Sequence, residues 1–286
     1  MDNNVKTVIL ISAMTGLLVF GGLLIGGETG AILAFVIAAG LNFLTYWYSD
    51  KIVLGIYGPK PIEEKEAENL HKMVEKVAAK AGIPKPKIYL VPQNQPNAFA
   101  TGRNPEHGAI CFTYGILQIL DKDELEGVIA HEMSHIKNRD ILITTIVATI
   151  AVAITLIGRF AYYLGFLIPV KDDNNIFGSI LSFILLVIVT PIIAVLLQLA
   201  ISRSREYLAD STAAKITHKP TDLANALKKL HAVSQQIPIV TDNSNRATAH
   251  MFIVNPFKSG LITNIMSTHP PIEKRVEKLQ QMSGGI

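Results

Sequence analysis

Hydrophobic residues in this 286-residue chain gather into long blocks separated by polar intervals. Val5 to Ile25 carries one charge, Lys6, and Ala31 to Tyr48 carries none. Each is close to the roughly 20 apolar residues that take a helix across about 30 Å of hydrocarbon. Ile141 to about Ile157 and Ile176 to about Ala200 repeat the pattern, so four transmembrane helices are predicted. The first block has no strongly basic leader and no clear small-x-small cleavage site, and a second block follows at once. It therefore reads as a retained span, not a secretory signal.

The polar intervals show different periods. Leu70, Met73, Val74 and Val77 recur at helical spacing, which predicts an amphipathic helix from Pro61 to Ala81 with Gly82 and Pro84 as its stop. Lys87 to Val91 predicts a strand. Phe99 to Thr101 and Ala109 to Thr113 flank the turn-rich Gly102 to Gly108 and predict a hairpin. Asp121 with Glu124 forms an Asx version of a capping box and opens a helix that runs through His131 and His135. Helices are predicted again at Arg203 to Ile216, Leu223 to Val233 and Ile272 to Met282.

The predicted fold is thus a mainly α integral membrane protein, with an α+β domain and a small β-sheet built from the polar intervals. Its parts are an N-terminal transmembrane hairpin at 1–50, a first polar part at 51–140, a second transmembrane hairpin at 141–200 and a helical polar part at 201–286. Neither polar part alone is large enough for a comfortable core, so the two are expected to fold together. The link Gly26 to Gly30 carries only Glu28, whereas Lys51, Lys60, Lys65 and Lys72 follow the second block and Arg203 and Arg205 the fourth. By the positive-inside rule both termini and both polar parts are cytoplasmic in a multi-pass protein of the cell membrane.

Composition adds little to this. Hydrophobic residues make up 49% of the chain and charged residues 17%, as a membrane protein requires. A net charge of +3, without lysine and arginine clustered among aromatics, argues against nucleic acid and for the lipid bilayer as partner. The single cysteine, Cys111, excludes an internal disulfide, fits a reducing compartment and reads as a small core hydrophobe.

The chemistry lies in His131-Glu132-Met133-Ser134-His135. Histidines four apart share a helix face, with Cβ atoms about 5 to 6 Å apart, the separation at which two imidazoles share one zinc-type ion. Glu132 stands where it can act as general base. Chance is a poor alternative, with on the order of 0.01 matches to H-E-x-x-H expected in this chain. A catalytic ion of this type takes three protein ligands. Glu206 is the candidate for the third, and Asp210, on the same helical face, for an acceptor that orients a liganding histidine. If the His135 helix continues into the third block and the fourth continues past Ala200, His135 and Glu206 each lie about 9 Å outside the membrane, at one depth. Which histidine Asp210 would hold is left open by the sequence. The competing reading of Glu206 and Asp210 is a solvated helix face paired with Arg203 and Arg205. His71, His107, His218, His231 and His250 lack partner spacing and read as surface or capping groups.

These residues, with Pro96 to Gly102, Arg203 and Ser267-Thr268-His269-Pro270, resemble the HtpX family of membrane zinc metalloproteases, relatives of the type I CAAX prenyl proteases. The resemblance covers nearly the whole chain. It implies a gluzincin-type endopeptidase with one zinc ion per chain, held by His131, His135 and Glu206, and with Glu132 as base. It implies substrates among unfolded, damaged or misassembled membrane proteins, cut at cytoplasmic regions. It puts Asn97, Phe99, Ala100 and Thr101 beside the active site as an edge strand for substrate, and His269 near the metal as an oxyanion donor. Oligomeric state is not legible. Two alternatives stand beside this reading: an intramembrane protease of the site-2 type, and a non-catalytic membrane scaffold with a structural zinc. The charges around the histidines, Glu124, Glu126, Lys137, Arg139 and Asp140, weigh against the first, since charge at bilayer depth is costly. The second needs a fourth protein ligand, and no further His or Cys has convincing spacing.

Overall fold

The computed structural model describes residues 3–143, 203–236, 252–253 and 270–284. The third and fourth predicted spans, His250 and His269 lie outside the described residues. Helix α1 takes up Asn3–Tyr57. A straight helix would hold Thr15 and Asn42 about 40 Å apart, yet Asn42 Nδ2 donates to Thr15 Oγ1 over 2.8 Å. The chain therefore doubles back. Gly27 has φ +60°, which a right-handed helix does not allow, and a Cβ on Gly22 would meet the Gly30 carbonyl oxygen at 2.4 Å. The glycine-rich link thus turns two apolar helical arms side by side. Within α1, Gly27–Tyr48 is the stretch long and apolar enough to cross a membrane, with mean hydropathy 1.7.

The sheet has the order β1 (Lys60–Pro61), β2 (Lys87–Val91), β4 (Ala109–Thr113), β3 (Ala98–Thr101). β2 and β4 are parallel, while β1 and β3 pair antiparallel at the two edges. Alternation of side chains sends Ile88, Ala98, Ala100, Ile110 and Phe112 to the main core and Tyr89, Val91, Phe99 and Cys111 to the opposite face. That second face is covered by Val53 and Tyr57 from the end of α1 and by Phe252. Cys111 is fully buried there, and burial pushes its thiol up, in keeping with a core role.

α2 (Glu68–Ala81) begins seven residues later than the apolar spacing predicts, because the backbone before it belongs to the sheet. Lys60 and Pro61 pair with Leu90 and Tyr89, and Ile62 N–H donates to the Ile88 carbonyl. An edge strand accommodates Pro61, which has no N–H to give. Next come the short α3 (Tyr114–Ile119), capped by Thr113 Oγ1, and α4 (Lys122–Lys137). The capping box on α4 is complete: Asp121 accepts from the Glu124 N–H and Glu124 accepts from the Asp121 N–H.

α4 is the central post of the domain. Residues Glu124 to Ser134 are all buried, unlike a surface helix with one apolar stripe. α2, β3, α5 (Arg203–Thr217) and α6 (Pro220–Gln236) pack around it, and α7 (Ile272–Met282) closes over α5 and α6. The charges this buries are paired: Glu124 with Lys229 at 2.7 Å and Glu126 with Lys76 at 2.9 Å. A Cβ on Gly127 would sit 3.2 Å from the backbone of Leu223, so this glycine lets α4 and α6 approach closely. The two polar parts of the chain share this one core, with Val128, Ile129 and Met133 of the first beside Ala213, Leu227 and Leu279 of the second.

One expectation is corrected here. The helix of His135 does not run on unbroken past Lys137. Asn138 caps it, Arg139 takes φ +58°, and a new helical segment starts at Asp140. That turn swings the Asp140 carboxylate back toward His135. Ile141, Leu142 and Ile143, the first residues of the third apolar block, are buried in the protein.

Candidate active site

α4 presents His131 and His135 on one face, their Nε2 atoms 3.2 Å apart. α5 brings Glu206 opposite: Oε2 lies 3.7 Å from His131 Nε2 and Oε1 lies 3.5 Å from His135 Nε2. One ligand atom from each of the three falls within 4.8 Å of the others, and among the described residues no other such group is found. A tetrahedral ion with bonds of about 2.0 to 2.1 Å has ligand atoms about 3.3 to 3.4 Å apart. The two histidine nitrogens match that edge length, and each Glu206 oxygen stands close to it from one of the two rings. Two imidazole nitrogens facing each other at 3.2 Å repel unless a proton or a cation lies between them.

Each proposed ligand is held from behind. Asp210 Oδ1 lies 3.0 Å from His131 Nδ1, which answers the question the spacing left open. Asp140 Oδ2 lies 3.1 Å from His135 Nδ1, and Arg205 Nη1 donates to Asp140 Oδ1 at 3.0 Å. Arg275 of α7 grips Asp210 with two bonds, Nε to Oδ2 at 2.8 Å and Nη2 to Oδ1 at 2.7 Å. Its Nη1 donates to the Ile253 carbonyl at 3.2 Å and lies 3.5 Å from Glu206 Oε2. Glu206 and Asp210 are 4% and 3% exposed, so the solvated-face reading does not hold.

Charge supports a cation. Among the described residues, four carboxylates, Glu132, Asp140, Glu206 and Asp210, meet two guanidiniums, Arg205 and Arg275. The balance of −2 is one that a single dication would neutralise. Without it, protonation takes up the imbalance. Burial is the largest influence on Glu132 and, with the Glu206 carboxylate, raises it to about 7, although His135 opposes. Burial works against a charged His135, but the Asp140 hydrogen bond and the Glu206 carboxylate outweigh it and raise it to about 9. Burial likewise opposes a charged Asp210, and Arg275 overrides it, holding the carboxyl at about 2. Burial keeps His131 toward its neutral, ligating form.

Glu132 also accepts the Ala100 backbone N–H, which ties the helix to the edge strand. Asn97 O accepts from Thr113 N–H, so residues 97, 99 and 101 turn their backbone groups toward β4 while 98 and 100 turn theirs to the outer edge. Ala100 thus stands beside the carboxylate. Phe99 points to the far face against Tyr57, with ring centroids 4.9 Å apart, and Thr101 is buried. The Asn97 side chain accepts the Ile253 N–H at 3.1 Å.

Sequence reasoning missed Asp140, Arg205 and Arg275. A signal for Arg275 exists: Ile272, Val276 and Leu279 form the apolar stripe of α7, and Arg275 falls on that stripe. An arginine there must find a buried partner. Of the other histidines, His71 is buried with its Nε2 2.9 Å from the Ile62 carbonyl, and His107 is exposed.

Comparison with known proteins gives the family. The model for peptidase family M48 matches residues 64–283. A protease HtpX homolog of Pyrococcus furiosus is 53% identical over 279 residues, 98% of this chain and 96% of that protein. One from Sulfurihydrogenibium sp. is 50% identical over 287 residues, 99% of this chain and 97% of that protein. The crystal structure of S. mikatae Ste24p aligns with TM-score 0.55 and 20% identity, over 97% of this chain and 65% of that one. The chain therefore spans about 65% of that protein's length, and the likeness shows a shared fold. On this family match and these near full-length relatives, the chain belongs to peptidase family M48 and is a membrane-bound metalloprotease.

Proposed function

We propose that the protein is a zinc-dependent endopeptidase in which His131, His135 and Glu206 hold the ion and Glu132 is the general base. The observation that carries this is the meeting of three buried side chains: the two Nε2 atoms lie 3.2 Å apart, and the Glu206 carboxylate faces both, 3.5 Å from His135 through Oε1 and 3.7 Å from His131 through Oε2, beside the buried carboxylate of Glu132. An ion held there supplies Lewis-acid polarisation of a peptide carbonyl and lowers the pKa of a water toward about 7. Glu132, raised by burial, takes the proton from the attacking water and delivers it to the leaving nitrogen. Asp140 holds His135 by accepting from its Nδ1, and the Asp210 carboxylate stands 3.0 Å from His131 Nδ1, which leaves both Nε2 atoms to the ion. The outer edge of β3 beside Glu132, buried in this structure, is the edge that an extended substrate would meet, with Ala98 as its pairing position because the Ala100 N–H is given to Glu132.

The substrates are unfolded or damaged membrane polypeptides cut outside the bilayer. Four spans, with both termini and the site in the cytoplasm, complete the reading and rest on the apolar blocks and the lysines that follow them. The packing of α4 favours this over an intramembrane site, because its cap and its paired Glu124 and Glu126 belong to a folded polar domain. Replacing Glu132→Gln keeps every proposed ligand. Purified protein with this change is expected to retain zinc at one ion per chain while casein cleavage falls by at least about a thousandfold. Cleavage within tenfold of the parent would overturn the role of Glu132.

A further inference from the structure

The apolar stretch of α1 ends in Tyr46, Trp47 and Tyr48, all exposed, with the Lys51 ammonium 5.2 Å from the Tyr48 ring centroid. Exposed aromatics followed by a lysine at the end of an apolar helix mark the membrane–water interface. The loop after β3 is fastened to this belt. The Arg103 guanidinium stacks 4.7 Å over the Trp47 ring, and its Nη1 donates to the Trp47 carbonyl at 3.3 Å. Its Nη2 lies 2.8 Å from His107 Nε2. Gly102, with φ +140°, makes the turn that puts Arg103 there, and a Cβ on it would strike the His107 carbonyl oxygen at 2.4 Å.

A second fastening lies further out, where the Tyr57 ring packs on Phe99. Trp47 to Tyr57 is about 15 Å of helix, and Arg103 to Phe99 is about 13 Å of extended chain. The matched lengths and reversed order mean that β3 runs alongside the end of α1, with its Thr101 end at the membrane. Glu132 meets β3 at Ala100, three residues or about 10 Å from Arg103.

We propose that α1 and β3 act as a ruler that refers the peptidase site to the membrane surface. The favoured substrate is then a polypeptide emerging from a transmembrane span and cut within roughly the first three to six residues beyond the interface. This rests on the peptidase reading above. A chain leaving the lipid beside Trp47 and running in the direction of β3 covers the distance to Glu132 in about three residues without looping. A bond one residue out cannot reach the carboxylate. A bond twenty residues out requires loop closure, and the fall of effective concentration with the −3/2 power of length gives about a tenfold loss.

The test uses the full chain reconstituted in phospholipid vesicles with single-span reporters. These carry one cleavable sequence placed 1, 4, 8 or 20 residues from the span, and casein serves as the soluble substrate. Cleavage is expected to peak at 4, to be lost at 1 and to fall about tenfold by 20. With Trp47→Ala and Arg103→Ala together, the peak should flatten while the casein rate stays as in the parent. Equal rates at 4, 8 and 20, with casein also cut, would overturn the ruler and leave the peptidase standing. No cleavage of any reporter or of casein would overturn the peptidase reading and the ruler with it.

Discussion

Arg275 is fully buried yet carries a full charge, and it is tolerated because Asp210, Glu206 and the Ile253 carbonyl surround it. Removing one member of such a pair leaves an uncompensated buried charge, at a cost of about 3 to 5 kcal/mol. Arg275→Met is therefore expected to lower the denaturant midpoint by the equivalent of that cost. Adding Asp210→Leu to it should restore much of the stability and still weaken zinc binding 10- to 100-fold, because His131 loses its acceptor. Chemical denaturation and metal titration of the two variants check both parts. A double variant with parental zinc affinity would show that Asp210 does not orient the ligand. At this scale the sequence was readable where a motif concentrates its signal. H-E-x-x-H lies within one turn of helix, whereas Arg205 and Arg275 act through contacts between elements far apart in the chain, and Asp140 reaches His135 only through the turn at Arg139.

Among the elements, α4 bears most of the architecture, and its close approach to α6 depends on the missing side chain at Gly127. Valine there must displace the Leu223 backbone, and overpacking of this kind costs about 1 to 3 kcal/mol. Gly127→Val should lower the thermal midpoint and, by tilting α4, reduce activity as well. Unchanged melting, followed by circular dichroism, would contradict the packing described. The start of α4 was legible because the capping box and the apolar run agree. β2, β4 and most of β3 were legible from their apolar runs. β1 was not, since two residues carry no period, and the start of α2 was misplaced because the pairing of Pro61 with Tyr89 is set by another part of the chain. α3 offered only six residues, too few for a helical period to show. The break at Arg139 was hidden because neither glycine nor proline marks it.

Over the whole molecule, the site exists only when two distant polar parts fold as one. His131, Glu132 and His135 come from the first, and Glu206, Asp210 and Arg275 from the second. From the sequence each part reads as too small for a comfortable core of its own, and in the structure α4 of the first packs against α5 and α6 of the second. α1 adds the reversal at Gly27 and carries the sheet from the end of its apolar stretch. The central claim, that these two parts meet around one metal ion, is tested most directly by crystallography with anomalous scattering at the zinc edge on the full-length, zinc-loaded protein. One ion per chain is predicted, with His131 and His135 nitrogens at about 2.0 to 2.1 Å and a Glu206 oxygen at about 2.0 to 2.2 Å. An ion bound without Glu206, or zinc found only away from the two histidines, would contradict the account.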